Sequence, residues 1–356
     1  MRVGIVAEQL RQKIPGGIGT YTTGLLRGLV ELDDGSLDVV AITSRAPADD
    51  PLVGLGVEVV ASALGHRSMV QLWEWGLGRP RGDYDVLHLT SMAGPLSGGG
   101  PLTTVMVHDL AWRTHPELTT SRGARWHEAG LKRAERSAKA IITPSPEVAA
   151  MLVDDGVAPE RVAVIGEGSD HLPSADHEAA ASLLAQHLVT GPFLLTVSTL
   201  EPRKNLARLV EAHGAAHGAG EIPLIIVGPA GWGPDVDAPP GVVLAGAQRG
   251  SVLAALYERC AAFVYVPLAE GFGLPPLEAM AHGAAVIASS TVPSVRTAPD
   301  VVLVDPHDTE ALASALAVAM HDTVSDERRA RARGFAGRHR WRDVAAEHRA
   351  LWERLS

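Results

Sequence analysis

Short apolar runs alternate with longer amphipathic stretches along nearly the whole chain. An apolar run of strand length is a strand covered on both faces, and such runs separated by helical patterns indicate a parallel sheet flanked by helices. In the first half the pattern predicts strands over 2–6, 37–42, 57–60, 86–89, 104–107, 140–143 and 161–164. Helices are predicted over 18–31, 68–76, 122–137 and 146–155. A second series follows, with strands over 193–197, 224–227, 242–244, 263–266, 285–288 and 301–304 and helices over 206–213, 251–259, 275–282 and 309–320. Between the two series, 168–192 is polar and rich in Ala and His, and reads as a linker with a short helix. Beyond Ser325 the chain is charged and helical to its last Trp352.

The expected fold is therefore α/β: two doubly wound, Rossmann-like domains with a cleft between the carboxyl ends of their sheets, where ligands bind in open sheets. The expected division is 1–172, a linker at 173–192, a second domain over 193–338, and a C-terminal helix over 339–356 that returns to the first domain. A length of 356 residues suits about two domains.

Composition narrows the function classes. With 46% hydrophobic and 20% charged residues the chain is globular, and a formal charge of −10 argues against nucleic acid as a partner. One cysteine, Cys260, allows no disulfide within the chain and no multi-cysteine metal site; its Ala-rich surroundings mark a buried small residue. No apolar run approaches the roughly 20 residues of a membrane span. Because Met1-Arg2-Val3-Gly4 enters a strand directly, no export leader is expected, and the setting expected is cytoplasmic.

The chemistry concentrates in Glu270-Gly-Phe-Gly-Leu-Pro-Pro-Leu-Glu278. Two carboxylates flank a glycine-containing turn, Pro275 and Pro276 open a helix, and Glu278 is expected in its first turn. Backbone N–H groups between the acids suit an anion. Upstream, a strand runs into Glu201-Pro-Arg-Lys-Asn205, placing Arg203 and Lys204 beside a helix start where acids are favoured, a conflict that a bound anion resolves. Taken alone, each has a plain explanation: a solvated basic turn for the pair, a helix-dipole acid for Glu278, a loop acid for Glu270. A joint function explains them together.

Three other features stand out. The junction Pro15-Gly16-Gly17-Ile18-Gly19 before a helix permits close backbone approach, but it is neither a dinucleotide fingerprint nor a Walker loop. His108 follows a strand, at the end from which site residues come, although a capping or core histidine is the plainer account. The stretch 122–139 carries Arg122, Arg125, Lys132, Arg133, Arg136, Lys139 and Trp126. Such a helix can rest on an anionic membrane surface, while a solvated face offset by Glu128 and Glu135 is the plainer alternative. The histidines show no metal-ligand spacing and no serine-hydrolase elbow is present, so no metal site is expected.

Together these segments resemble the retaining nucleotide-sugar glycosyltransferases of family 4, of GT-B fold. The resemblance rests on Gly-Gly-Ile-Gly-x-Tyr at 16–21, Val-His-Asp-Leu at 107–110, Leu-Glu-Pro-Arg-Lys-Asn at 200–205, the run from Glu270 to Ala281, and Val304-Asp-Pro306. It implies that Arg203 and Lys204 hold the donor diphosphate and stabilise the departing nucleotide. It further implies that Glu278 accepts bonds from the ribose, that Glu270 and His108 lie beside the donor sugar, and that the backbone of Phe272, Gly273 and Leu274 contacts sugar and phosphate. Gly16 and Gly17 would line the acceptor side. No metal or other cofactor is implied, only a nucleotide-diphosphate sugar as donor, with GDP-mannose favoured, and a glycan, lipid-linked or small-molecule acceptor. Retention is expected through a same-face displacement. An epimerase on the same fold or a non-catalytic nucleotide-sugar-binding protein are the alternatives. The chain departs from the family pattern at Gly166-Glu-Gly-Ser-Asp170, at Pro293-Ser294, where Pro-Glu is frequent, and at Gly246-Ala-Gln-Arg-Gly250.

Overall fold

The computed structural model describes residues 1–47, 50–96, 100–216, 222–233 and 236–356. These form two compact units, Met1–Gly168 with Arg340–Ser356, and Ser169–His339.

The first unit holds β1 (Arg2–Val6), α1 (Gly16–Glu31), β2 (Asp38–Thr43), β3 (Glu58–Ala61), α2 (His66–Glu74), β4 (Val86–Leu89), β5 (Leu102–Met106), α3 (Ala111–Thr114), α4 (Ser121–Ser137), β6 (Ala140–Thr143), α5 (Pro146–Asp154) and β7 (Val162–Val164). Its sheet has the order β3-β2-β1-β4-β5-β6-β7, and all its pairings are parallel. The second unit holds α6 (His177–Gln186), β8 (Leu194–Val197), α7 (Leu206–Ala215), β9 (Leu224–Val227), β10 (Val242–Gly246), α8 (Gly250–Arg259), β11 (Ala262–Tyr265), α9 (Leu274–Ala281), β12 (Val286–Ser289), β13 (Val302–Val304), α10 (Thr309–His321) and α11 (Asp326–Ala336). Its order is β10-β9-β8-β11-β12-β13, again parallel throughout. The last helix, α12 (Trp341–Leu355), belongs to the first unit.

The central strands are buried along their whole length, as their mainly apolar runs require, and the polar His88 and Thr143 within them are hydrogen-bonded. In each sheet the strand order reverses direction once, between β1 and β4 and between β8 and β11. The loops leaving the carboxyl ends of those strands part there, which is where doubly wound sheets take ligands.

The boundary between the units differs from the sequence expectation. The stretch 173–192 is not a free linker: α6 buries Ala180 and Leu184 and packs on α8, so the unit boundary lies at Gly168/Ser169 rather than after residue 172. An apolar face on one short, Ala-rich helix is too weak a periodic signal to show this in sequence. Cys260 is buried, as its surroundings indicate, and burial pushes its thiol up to about 12.

α12 seats against α1 through small residues. A methyl group on Gly28 would lie 2.3 Å from the Trp341 carbonyl oxygen, and one on Gly24 would lie 2.2 Å from the Trp341 ring. Beneath this contact runs a buried chain of hydrogen bonds. Trp352 Nε1 donates to Thr104 Oγ1 (3.2 Å), which lies 3.0 Å from His88 Nδ1. His88 Nε2 lies 3.0 Å from the Tyr21 hydroxyl, which lies 2.8 Å from His348 Nε2; His348 Nδ1 donates to the Val344 carbonyl at 2.8 Å. An indole only donates and a carbonyl only accepts, so one assignment of protons satisfies every link with both histidines neutral. Burial accordingly lowers His348 to about 4 and His88 well below its ordinary value.

A histidine whose folded pKa is depressed withholds a proton that the unfolded chain accepts, so stability falls with pH below about 6.5 and the loss continues until the folded group titrates. Each such group contributes about 1.4 kcal/mol per pH unit. Urea unfolding between pH 6.5 and 5 is expected to show a falling stability, and His348→Gln should reduce that slope by about 1.4 kcal/mol per pH unit. An unchanged slope would contradict the neutral, buried assignment.

Candidate active site

In the second unit the site grows from the loops after β8 and β11, neighbours in the sheet with Leu194 opposite Ala262. β8 leads to a short 3-10 turn, Pro202–Lys204, that ends on Asn205 at φ 58° and ψ 30°. A non-glycine residue in this left-handed region needs compensation. Asn205 receives it by donating from Nδ2 to the carbonyls of Val266 (3.1 Å) and Pro306 (2.8 Å). The Leu268 N–H donates to the Arg203 carbonyl at 2.9 Å, fastening the two loops together.

The fastening brings Arg203, Lys204 and Glu270 to one point. Lys204 Nζ donates to Glu270 Oε2 at 2.8 Å and to the Tyr265 hydroxyl at 2.7 Å, and that hydroxyl donates to the same Oε2 at 2.6 Å. Arg203 Nη1 lies 3.5 Å from Oε2 and donates to the Ala269 carbonyl at 3.0 Å, while Nη2 reaches Glu201 Oε1 at 3.1 Å. Burial by itself would raise Glu270, but Lys204 and Arg203 outweigh it and hold the carboxyl at about 2. Lys204 is lowered, first by burial and then by Arg203, with Glu270 opposing. Two cations and two carboxylates therefore share a corner with no net charge of its own.

Gly273 precedes α9 at φ 98°, and a methyl group there would lie 2.4 Å from Val292 Cγ1. Ser294 stitches the turn, its N–H donating to the Phe272 carbonyl (2.9 Å) and its hydroxyl to the Gly273 carbonyl (2.7 Å). Thus Pro293-Ser294, a departure from the family pattern, is what supports the glycine turn. Pro275 and Pro276 carry no N–H, so an anion at this helix end would meet the amides of the loop up to Leu274 rather than those of the helix's second and third residues.

Glu278 lies just past the first helical turn in which the sequence pattern puts it. The helix begins at Leu274, so Glu278 is its fifth residue, and α9 has no acidic residue in its first turn. Its carboxylate is fixed by hydrogen bonds instead of by the helix end. His171 Nε2 lies 3.0 Å from Oε1 and the Tyr257 hydroxyl donates to Oε2 at 3.0 Å. Burial opposes ionisation, and these partners hold the group below the usual carboxylate range.

The first unit contributes separately. Gly16 opens α1 at φ 61°, and a methyl group on either Gly16 or Gly17 would meet nothing within 4 Å. His108 stands beyond β5 with both ring nitrogens engaged: Nε2 donates to the Thr90 carbonyl at 2.9 Å, and Nδ1 faces Glu167 Oε1 at 3.2 Å. Burial would lower it, but Glu167 outweighs burial and raises its pKa. A carbonyl on one ring nitrogen and a carboxylate facing the other favour the doubly protonated ring. In α4, Glu128 is clasped by Arg113 through two 2.8 Å bonds and paired with Lys132 at 3.5 Å, Arg133 is half-buried, and the Trp126 indole donates to Glu74. Trp75 and Leu77, just beyond α2, are 65% and 55% exposed.

Sequence reading missed Tyr265, Tyr257, His171 and Glu167. Only Glu167 carried a signal, as a departure at 166–170. The described residues include no group of three or more His, Cys, Asp or Glu that could hold a metal ion, and no helix among them is long and apolar enough to cross a membrane.

Two parallel sheets, each carrying its candidate groups beyond the carboxyl ends of central strands, have the GT-B fold. Sucrose-phosphate synthase from Thermosynechococcus elongatus superposes with a TM-score of 0.77 at 19% identity, covering 100% of this chain and 99% of that one. The structure of Anabaena HepE in complex with UDP and glucose superposes with a TM-score of 0.75 at 16% identity, covering 99% of each. The family model described as Glycosyltransferase Family 4 matches residues 15–171, and that described as Glycosyl transferases group 1 matches 191–322. O-antigen chain mannosyltransferase B of Escherichia coli is 30% identical over 248 residues, 64% of this chain and 64% of that protein's length. The chain belongs to the family 4 glycosyltransferases.

If Glu270 neutralises Lys204 as the geometry indicates, the two are energetically coupled. A double-mutant cycle of Lys204→Met and Glu270→Gln, measured by urea unfolding, should give a coupling energy of about 1–3 kcal/mol. Additive effects would contradict the pairing.

Proposed function

We propose that the protein is a retaining glycosyltransferase that moves mannose from GDP-mannose to a glycan, lipid-linked or small-molecule acceptor without a metal cofactor. The observation that carries the proposal is the convergence of Arg203, Lys204 and Glu270 beyond β8 and β11. Arginine offers a planar fork and lysine a point charge, which together suit a diphosphate. Held in place before the reaction, they favour the charge that builds on the leaving nucleotide, the role a metal ion otherwise fills. The lean towards mannose rests on similarity to O-antigen chain mannosyltransferase B.

In the proposed reaction the bond from the anomeric carbon to the phosphate oxygen breaks while the acceptor oxygen adds to the same face. The leaving phosphate takes the acceptor's hydroxyl proton, so no separate base is required. Glu270 lies beside the donor sugar, and the backbone of Phe272, Gly273 and Leu274 touches sugar and phosphate. Glu278 takes the ribose. His108, its ring facing Glu167 Oε1, acts in this proposal beside the sugar, and the open surface at Gly16 and Gly17 admits the acceptor.

The proposed setting is cytoplasmic, with peripheral contact to an anionic membrane through the exposed cations Arg122, Arg125, Lys132, Arg136 and Lys139. Since the Trp126 indole is engaged by Glu74, the apolar anchors of that contact are Trp75 and Leu77.

The test is nucleotide release from GDP-mannose, UDP-glucose and dTDP-glucose, each with and without mannose- and glucose-terminated oligosaccharides, in buffer containing EDTA. GDP-mannose should be consumed fastest, only with an acceptor, giving a product with the donor's anomeric configuration. Preference for another donor would overturn the mannose assignment, and an altered sugar formed without acceptor would overturn transfer itself.

A further inference from the structure

Glu278 is held more tightly than a ligand-binding acid needs for folding alone. It stands in the second turn of α9, 7% exposed, and its two oxygens are held by residues from two other segments. Tyr257, fully buried on α8, donates to Oε2; His171, on the stretch leading to α6, lies on Oε1. Tyr257 is itself fixed, packed edge-on to Phe263 of β11 and stacked on His282 at the end of α9. The carboxylate therefore has little freedom to rotate.

A carboxylate offers about four lone-pair directions, two on each oxygen. With one partner already on each oxygen, one direction remains on each. Two acceptors side by side on a rigid group match two adjacent hydroxyls, and the fixed orientation is what makes the match selective.

We propose that Tyr257 and His171 are positioning residues that fix Glu278 for recognition of a vicinal diol, and so set the preference of this site for ribonucleotides over 2′-deoxyribonucleotides. The proposal rests on the nucleotide-sugar reading above, in which Glu278 meets the ribose. Neither residue touches the nucleotide; both act through Glu278. Loss of either donor lets the carboxylate turn, and the selectivity for two hydroxyls over one falls with it.

The experiment is calorimetric titration of the full chain with GDP and 2′-deoxy-GDP, and with UDP and 2′-deoxy-UDP as a second pair, reading the ratio of affinities within each pair. That ratio does not depend on the fraction of folded protein, so a destabilised variant still reports. The wild type should favour the ribonucleotide by about tenfold, the worth of one hydrogen bond to a charged acceptor. Tyr257→Phe and His171→Leu should each bring the ratio to within about threefold of one, while His171→Gln, which keeps an N–H donor, should restore most of it. If both variants keep the wild-type ratio while Glu278→Gln abolishes it, the positioning role is overturned. If Glu278→Gln also keeps it, the failure lies instead in the assignment of Glu278 to the ribose.

Discussion

Two cations brought together in a protein interior must be neutralised, and that constraint organises the second unit. Arg203 and Lys204 sit in one turn, where like charges repel and burial penalises both. Glu270 and Glu201 offset them, and Tyr265 bridges acid and base through one hydroxyl. The acid that serves Lys204 comes from a different strand's loop, so the cluster exists only if the loops after β8 and β11 are locked together. Asn205 does this at the expense of a left-handed backbone, and its two side-chain bonds explain why asparagine stands there. The glycine turn at 273 follows from the same need, because it directs the chain from Glu270 into α9 without collision.

The first unit solves a different problem. Its C-terminal helix must return to a sheet whose strands lie far earlier in the chain. Close approach between α1 and α12 needs residues without side chains, and the polar groups trapped beneath need partners. The directed chain from Trp352 to Val344 supplies them. Tyr21 lies at its middle and packs edge-on against His108, with ring centroids 5.0 Å apart. The Gly-Gly-Ile-Gly-x-Tyr segment thus serves the fold at its tyrosine and leaves its first glycines open.

Much of this was legible in the sequence. Strand 224–227 is apolar throughout and 86–89 and 140–143 are broken only by His88 and Thr143, and a fully buried strand has few other ways to look. Arg203 and Lys204 beside a helix start declare a conflict that reads as an anion site; that Glu270 already neutralises the pair shows only in the structure. Other parts were hidden because they depend on approach in space. Tyr265 reads as one more apolar strand residue until its hydroxyl is seen between Lys204 and Glu270. Tyr257 and His171 lie far apart in sequence and have meaning only once both reach Glu278. Glu278 falls one residue later in its helix than expected, since two prolines in a row suggest the helix start and Leu274 precedes them. The stretch 173–192 looked like a linker because one small apolar face gives little periodic signal.

The central claim is that the Arg203–Lys204 corner holds a diphosphate. It is tested most directly by calorimetric binding of GDP and GMP to the wild type and to Lys204→Ala. Both share base, ribose and first phosphate, so their difference isolates the second phosphate. The account predicts that the substitution weakens GDP by about tenfold or more, as expected for a charge-assisted bond, and leaves GMP within about twofold. Equal losses for the two nucleotides, or no loss for GDP, would contradict it.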